Sequence, residues 1–283
     1  MRDLDVADLG STRAFLSPWK REVAARKDEM VDVMGPDSSK TLLFPRECGA
    51  VAIGSSCWSL GLARAKFLRL AEQGIETHPG PAVCSKVGIR IETVNSTDKA
   101  PFLQRLKDSR ADVVCGQELK VTEAELDRFT KAVWNLGWRC RVTPCTFGEG
   151  GGRSCGTGVF VRRHMCIWED PLIPSRPAGA RATVVVVAGD GLAPFVVASV
   201  YAAVGEGPSP SNCRLIKDVL VPIIARGLPW LVGADWNMDP ETLRLMDLPK
   251  FSGSRIISDG TGVGTCTAGK TPTTIDYFLV SSK

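Results

Sequence analysis

From residue 86 onward the hydrophobic positions recur with the periods of strands and helices. Val87–Val94 alternates as a first strand that ends at Asn95. Pro101–Ser109 is amphipathic, with Phe102, Leu103 and Leu106 on one side, and leads into a strand over Asp112–Gly116. Thr122-x-x-Glu125 is a capping box: the threonine oxygen takes a free backbone N–H while the glutamate reaches back to its partner. The helix it opens carries Leu126, Phe129, Val133 and Leu136 at helical spacing and stops at Gly137. Strands follow over Trp138–Phe147 and Thr157–Arg162, separated by a glycine-rich loop, and then over Arg181–Ala188 and Pro194–Tyr201, joined across Gly189-Asp190-Gly191. Ser211–Arg226 reads as a helix whose apolar face is Leu215, Ile216, Val219, Leu220, Ile223 and Ile224. The remaining elements are a strand over Leu228–Asp235, a short helix over Glu241–Asp247, a strand over Arg255–Asp259 and a strand at Ile275. Hairpins mixed with covering helices, without strict βαβ alternation, predict a two-sheet α/β sandwich with its helices outside, not a doubly wound sheet.

Residues 1–84 follow another pattern. Charges of both signs are mixed without a period, and Pro36, Pro45, Pro79 and Pro81 interrupt the segment. It reads as a poorly ordered leader with one short helix near Leu62–Gln73, ahead of a domain over residues 85–283. Composition narrows the class. Hydrophobic residues at 44% with 23% charged residues are globular, and a formal net charge of +4 tolerates a nucleic-acid partner without demanding one. Ten cysteines without a C-x-x-C pair, and only two histidines, His78 and His164, argue against structural zinc and for reduced cytosolic or nuclear thiols; the expected location is intracellular, the nucleus before the cytoplasm. The opening Met1-Arg2-Asp3-Leu4-Asp5 is charged and has no secretory pattern. The most apolar stretch, Ala182 to Val204, is broken by its Gly-Asp-Gly turn and is no membrane span.

Three buried strands end in polar chemistry. Val113-Val114-Cys115-Gly116-Gln117 delivers Glu118, Trp230-Leu231-Val232-Gly233-Ala234 delivers Asp235-Trp236-Asn237, and Thr274–Ser281 carries Asp276. Carboxylates and an amide at strand ends around one pocket suit a hard divalent cation and a phosphate ester. A glutamate at the mouth of a buried strand otherwise faces solvent, and Asp235-x-Asn237 is otherwise a cap for the helix after Pro240. Gly264–Thr271 matches the phosphate-loop pattern G-x-x-x-x-G-K-T, but Pro272-Thr273-Thr274 leads into a strand where that loop must open a helix, so the match is chance. Gly148–Gly152 is a flexible loop, though Arg153 beside it could touch a nucleic-acid backbone; Thr265 and Thr267 are placed to line a substrate groove.

The ordered set Asn95, Gln117-Glu118, Ser199-Val200-Tyr201, Gly233-Ala234-Asp235-Trp236-Asn237 and Ile275-Asp276-Tyr277 resembles the endonuclease/exonuclease/phosphatase superfamily, nearest the apurinic-type endonuclease domain of non-LTR retrotransposons, over residues 86–283. The resemblance implies a DNase I-like fold, a Mg2+ (or Mn2+) ion on Glu118 and Asn95, and catalysis by Asp235, Asn237, Tyr201 and Asp276. Asp235 would activate the attacking water, Asn237 would donate its amide to the phosphoryl oxygens, and Tyr201 would contact the phosphate. Asp276 would buttress a histidine in a Ser-Asp-His segment, and neither that segment nor its strand is found in the sequence. The expectation is a domain lacking its final strand, with the Ile275 strand left at an open edge and activity impaired. The resemblance also implies a nucleic-acid partner, DNA first, and no membrane. Its alternatives are an RNA or phosphoinositide phosphodiesterase of the same fold, or a degenerate domain that binds nucleic acid without catalysis. Gly74–Pro81 also resembles the translation-skipping peptide that precedes some retrotransposon endonucleases, with Gly74 and His78 departing from its D-x-E-x-N-P-G-P pattern.

Overall fold

The computed structural model describes residues 12–34, 89–148, 151–189, 192–258 and 274–282. The chain divides into one unit of Met1–Met30 with Arg90–Lys283 and another of Val31–Ile89, and the elements below β1 onward all belong to the first.

The first sheet has four strands in the order β1-β2-β6-β3: β1 Ile91–Asn95, β2 Val113–Gln117, β3 Trp138–Thr143 and β6 Thr157–Arg162. Between β3 and β6 lies a two-stranded ribbon, β4 Thr146–Phe147 and β5 Arg153–Ser154. Helix α1 covers Thr12–Met34, α2 Lys99–Asp108 and α3 Leu126–Asn135. Asp98 caps α2 by accepting from the Lys99 N–H, and Thr122 with Glu125 forms the capping box, here on a single 3-10 turn (Glu123–Glu125) that feeds α3. Phe102 and Leu106 of α2 and Phe129 and Val133 of α3 are buried on the outer face of this sheet, against Val114, Trp138, Cys140 and Phe160. The Phe160 ring lies 4.5 Å from Phe102 and 6.2 Å from Phe129, the latter edge-on, and Trp138 Nε1 donates to the Leu106 carbonyl at 3.1 Å.

The second sheet has six strands in the order β11-β12-β10-β9-β8-β7: β7 Cys166–Trp168, β8 Ala182–Ala188, β9 Phe195–Tyr201, β10 Trp230–Asp235, β11 Ser254–Ile257 and β12 Asp276–Ser281. Helix α4 (Pro210–Arg226) begins at the N-cap Ser209 and ends on Gly227 at φ 77, a left-handed position glycine fills without a Cβ clash. Short helices α5 (Pro240–Leu245) and α6 (Leu248–Ser252) precede β11. All seven residues of β8 are buried, and its sequence is apolar without alternation apart from Thr183. The sheets approach closely at Gly233: a Cβ there would lie 2.9 Å from both Cβ and Sγ of Cys115. Only glycine lets β2 and β10 come together at that level.

Each sheet holds one parallel pair bridged by a helix, β1-α2-β2 in the first and β9-α4-β10 in the second. Two such crossovers sit inside sheets that are otherwise antiparallel, and the carboxyl ends of all four parallel strands point to one side. Ligand sites in sheets of this kind gather at the carboxyl ends of parallel strands.

Two expectations change. The reading of residues 1–84 as a poorly ordered leader misses α1, where Leu16, Trp19 and Val23 are buried at helical spacing, Trp19 meets Phe251 edge-on at 5.6 Å, and Glu22 pairs with Lys217 at 2.6 Å. Pro18 within the helix and the dense charges around a three-residue stripe hid the period. The helix expected near Leu62–Gln73 lies outside the described residues, as do Gly74–Pro81 and Gly264–Thr271. The open edge expected on the Ile275 strand is also not found: β12 pairs with β10 on one side and, over Phe278–Ser281, with β11 on the other. The Arg255 strand is visible in the sequence, but its partner is a matter of sheet order, which periodicity does not carry.

Candidate functional site

Asn95 ends β1, Glu118 follows β2, Tyr201 ends β9 and Asp235 ends β10. The register sets Asp235 opposite Tyr201 on one side and Asp276 on the other, and sets Asn95 opposite Gln117. Hydrogen bonds then cross between the sheets. Asn95 Nδ2 donates to Asp235 Oδ2 at 2.7 Å, and the Tyr201 hydroxyl donates to Glu118 Oε1. Asn237 lies on the same rim: its backbone N–H donates to Asp235 Oδ1 at 3.1 Å and its Nδ2 to the Ala202 carbonyl at 2.9 Å. Thus Asn95, Asp235 and Asn237 form one hydrogen-bonded group and Tyr201 with Glu118 a second on the same rim, close enough for the Glu118 charge to act on Asp235, with Asp276 beside Asp235.

Local backbone geometry is unusual at two of these residues. Glu118 has φ 52 and Asn237 φ 49, left-handed positions that a non-glycine residue occupies only when its surroundings impose them. Around Glu118 the constraint is visible: Ser96 N–H donates to the Gln117 carbonyl, and the N–H groups of Leu119 and Lys120 donate to the carbonyls of Gly156 and Cys155. The reversal of hand ends the pleat and turns the glutamate toward β9.

Beneath the site lies a polar clasp whose member Thr93 the sequence does not single out. Gln117 is fully buried, and its amide is fully used: Nε2 donates to Ser199 Oγ at 3.0 Å and to the Gly233 carbonyl at 3.2 Å, while Oε1 accepts from Thr93 at 3.3 Å. Ser199 passes the chain back to the Gly116 carbonyl at 2.8 Å. Nothing in periodicity marks Thr93 or Ser199, since each sits in an ordinary strand. Arg181 is a further member without a sequence signal: its guanidinium lies 5.4 Å from the Tyr201 ring and donates to the Tyr201 carbonyl.

Electrostatics set the protonation states. Burial, and then the Asp276 charge, push the Asp235 carboxyl up to about 6, although the donors Asn95 and Asn237 pull the other way. Burial and the Glu118 carboxylate raise the Tyr201 phenol far above its ordinary value, so it stays protonated and acts as a donor. A cluster of Glu118, Asp235 and Asp276 is surplus negative charge around hard oxygen donors, which fits a divalent cation. Asn95 Oδ1 accepts the Thr97 N–H at 3.2 Å and keeps a lone pair for a second partner. Among the described residues no group of three or more His, Cys, Asp or Glu side chains is assembled as a metal cage, so any cation here rests on few protein ligands. His164 is exposed in the turn after β6. Because β6 runs antiparallel to β2, that turn is at the opposite end of the sheet from Glu118. His78, Thr265 and Thr267 lie outside the described residues.

A profile of the Endonuclease/Exonuclease/phosphatase family matches residues 94–283. Among solved structures, the AP endonuclease LMAP from Leishmania major superposes with a TM-score of 0.52 at 15% identity, covering 73% of this chain and 84% of that one, and so shares the fold. The human Nocturnin catalytic domain with bound sulfate anion gives a TM-score of 0.47 at 17% identity, over 64% of this chain and 73% of that one. Humanized D. rerio TDP2 gives 0.46 at 14% identity, over 69% and 82%. A sequence search of curated proteins returns no match. With the matched segment spanning both sheets and every residue of the strand-end group, the chain belongs to the endonuclease/exonuclease/phosphatase family, a family of hydrolytic phosphoesterases.

Proposed function

We propose that the strand-end group is the centre of a metal-dependent phosphodiesterase acting on a nucleic-acid backbone, DNA first. The observation that carries this reading is the convergence of Glu118, Tyr201, Asn95, Asp235 and Asn237 on one rim, with two of them held in left-handed backbone. Glu118 and Asn95 are the residues to hold Mg2+ or Mn2+, and a cation bound there supplies charge neutralisation at the phosphoryl oxygen.

The rest falls to the side chains. Asp235 takes the proton of the attacking water; a carboxyl near 6 is well matched to that task around neutral pH. Its two oxygens are oriented by Asn95 and by the Asn237 N–H, so the base cannot swing away. Asn237 Nδ2 uses one proton on Ala202, and its second can donate to a phosphoryl oxygen as negative charge builds. Tyr201 contributes a hydroxyl donor on the Glu118 side. The fold match to an AP endonuclease supports DNA over a lipid phosphate.

A second reading is binding without turnover. It is favoured by the position of His164, which leaves no described imidazole at the centre to protonate the phosphate. Nicking of supercoiled plasmid and of an abasic oligonucleotide in Mg2+, set against Asp235→Ala, decides between them. Cleavage that the substitution abolishes supports the enzyme; equal affinity of both proteins for the oligonucleotide, with cleavage by neither, supports the binding domain.

A further inference from the structure

The ribbon β4–β5 is the feature beside the centre for which the fold itself has no use. The ladder between β3 and β6 ends at Thr143 opposite Thr157, and the same β6 residues pair with β2, Gly158 opposite Gly116. The ribbon therefore extends past the strand ends on the side where Glu118 lies. On it, Phe147 sits directly across from Arg153. Phe147 is 64% exposed, and with Val204, in the loop after β9, it is the most exposed large apolar side chain among the described residues. Both stand at the site end of the strands.

Arg153 is held in place and not left to wave. Its Nη1 bonds Glu125 Oε2 at 3.1 Å and reaches the Lys120 carbonyl at 3.5 Å. Lys99 Nζ binds the other oxygen of Glu125 at 2.6 Å. Glu125 is itself fixed by the Thr122 backbone and hydroxyl, and the Lys99 ammonium, ahead of these, holds its carboxyl down to about 2. One carboxylate thus positions two cations, leaving a net positive pair whose side chains remain 31% (Lys99) and 40% (Arg153) exposed. An exposed aromatic ring across from an ordered guanidinium, with an ammonium behind it, is the arrangement that grips a strand of nucleic acid: the ring stacks on a base and the cations take the adjoining phosphates.

Resting on the phosphodiesterase reading of the neighbouring centre, we infer that the β4–β5 ribbon is a grip for an unpaired nucleic-acid strand, with Phe147 stacking on one base and Arg153 and Lys99 holding the phosphates beside it. An unpaired strand is required because a base inside a duplex offers no free face to a phenyl ring. Because the ribbon projects from the strand ends on the Glu118 side, the gripped nucleotide flanks the one at the centre.

The test is binding by the full chain to fluorescein-labelled oligothymidylate, read by anisotropy in EDTA so that no cleavage intervenes. Phe147→Ala should weaken binding between about fivefold and about a hundredfold, the range for one stacked base, and Phe147→Trp should restore it. Arg153→Gln should weaken binding and make the plot of log affinity against log salt shallower by about 0.7, one single-strand phosphate contact. A fully paired duplex should show the arginine effect and little of the phenylalanine effect. Variants that bind oligothymidylate within about twofold of the parent, a parent that does not bind it, or Phe147→Trp failing to rescue, overturn the grip. Plasmid nicking is scored separately. A parent that nicks while the variants bind normally removes the grip and keeps the enzyme; a parent that never nicks but shows the stacking and salt effects does the reverse.

Discussion

The two faces of the four-stranded sheet are built from different chemistry. Its outer face, under α2 and α3, is apolar and aromatic throughout, from Phe102 and Phe129 to Trp138 and Phe160. Its inner face, toward the second sheet, is polar at the site end: Gln117 with Ser199 and Thr93, and next to them Thr143, Thr183 and Thr157 in a hydroxyl chain with spacings of 2.6 and 2.8 Å. Apolar packing is non-directional and tolerates small displacements, whereas a buried hydrogen-bond network holds its members only in one arrangement. The outer face therefore supplies stability, and the inner face fixes the position of Glu118 against Tyr201 and of Asn95 against Asp235. If that division is right, substitutions on the two faces should separate stability from activity.

The largest effect belongs to the inner rim. Asp235→Ala should lower cleavage by about three powers of ten or more, as removal of one member of a catalytic unit does. Neutralising the same carboxyl while keeping an acceptor, as in Asp235→Asn, should stabilise the cation-free protein. Asp235 has a folded-state value near 6, above that of an ordinary aspartate, so the folded chain binds its proton more tightly than the unfolded chain. Its charge thus destabilises the fold fully above about pH 6, and stability recovers as pH falls from there toward the unfolded value near 4. Melting in EDTA should show Asp235→Asn more stable than the parent by about 1–3 kcal/mol at pH 7.5 and equal to it near pH 4. A variant less stable than the parent at both pH values would mean the carboxylate is structural. Phe102→Ala comes next. It should cost about 3–5 kcal/mol of stability through lost burial and the cavity left behind, and leave turnover per folded molecule unchanged. A fall in turnover larger than the folded fraction explains would dissolve the distinction between the faces.

How much of this was legible before the fold depends on which face a residue serves. The outer face announces itself: Phe102 and Leu106 or Phe129 and Val133 recur at helical spacing, and the capping box at Thr122 marks where α3 begins. Glu118, Asp235 and Asn237 were readable as polar residues at the ends of apolar runs, but their convergence required four strand ends from two sheets. Asn95 and Asp235 are 140 residues apart and bond directly. No local pattern reports such a pairing. Arg181 and Thr93 were illegible for the same reason, and α1 because Pro18 and its charges mask a narrow stripe. The left-handed backbone at Glu118 and Asn237 has no residue signature either, since neither position is glycine.

Gln117→Leu tests the clasp between the faces. It keeps the volume but leaves Ser199 and Thr93 without their partner in a buried site, which should cost about 1–3 kcal/mol. Because the clasp lies under Glu118, turnover should fall with stability, in contrast to Phe102→Ala. Urea unfolding together with plasmid nicking measures both quantities on the same preparation, and a stability loss with normal turnover would place the clasp with the outer face.

Tyr201→Phe should give the smallest change and says most about the centre itself. The phenol is buried, protonated and donates only to Glu118, so removing its oxygen takes away one hydrogen bond and leaves the ring against Cys155 and Ala180. The stability cost should be about 1 kcal/mol or less, because Glu118 is half-buried and water can replace the lost donor. The effect on the cation should run the other way. A Glu118 carboxylate relieved of its donor has both oxygens available, so Mn2+ followed by calorimetry should bind Tyr201→Phe at least as tightly as the parent, while Glu118→Gln binds it more weakly than either. Turnover of Tyr201→Phe should fall by about tenfold if the hydroxyl also reaches the phosphate in the transition state. Weaker Mn2+ binding by Tyr201→Phe than by Glu118→Gln would move the cation to the tyrosine side of the rim and undo the assignment of Glu118.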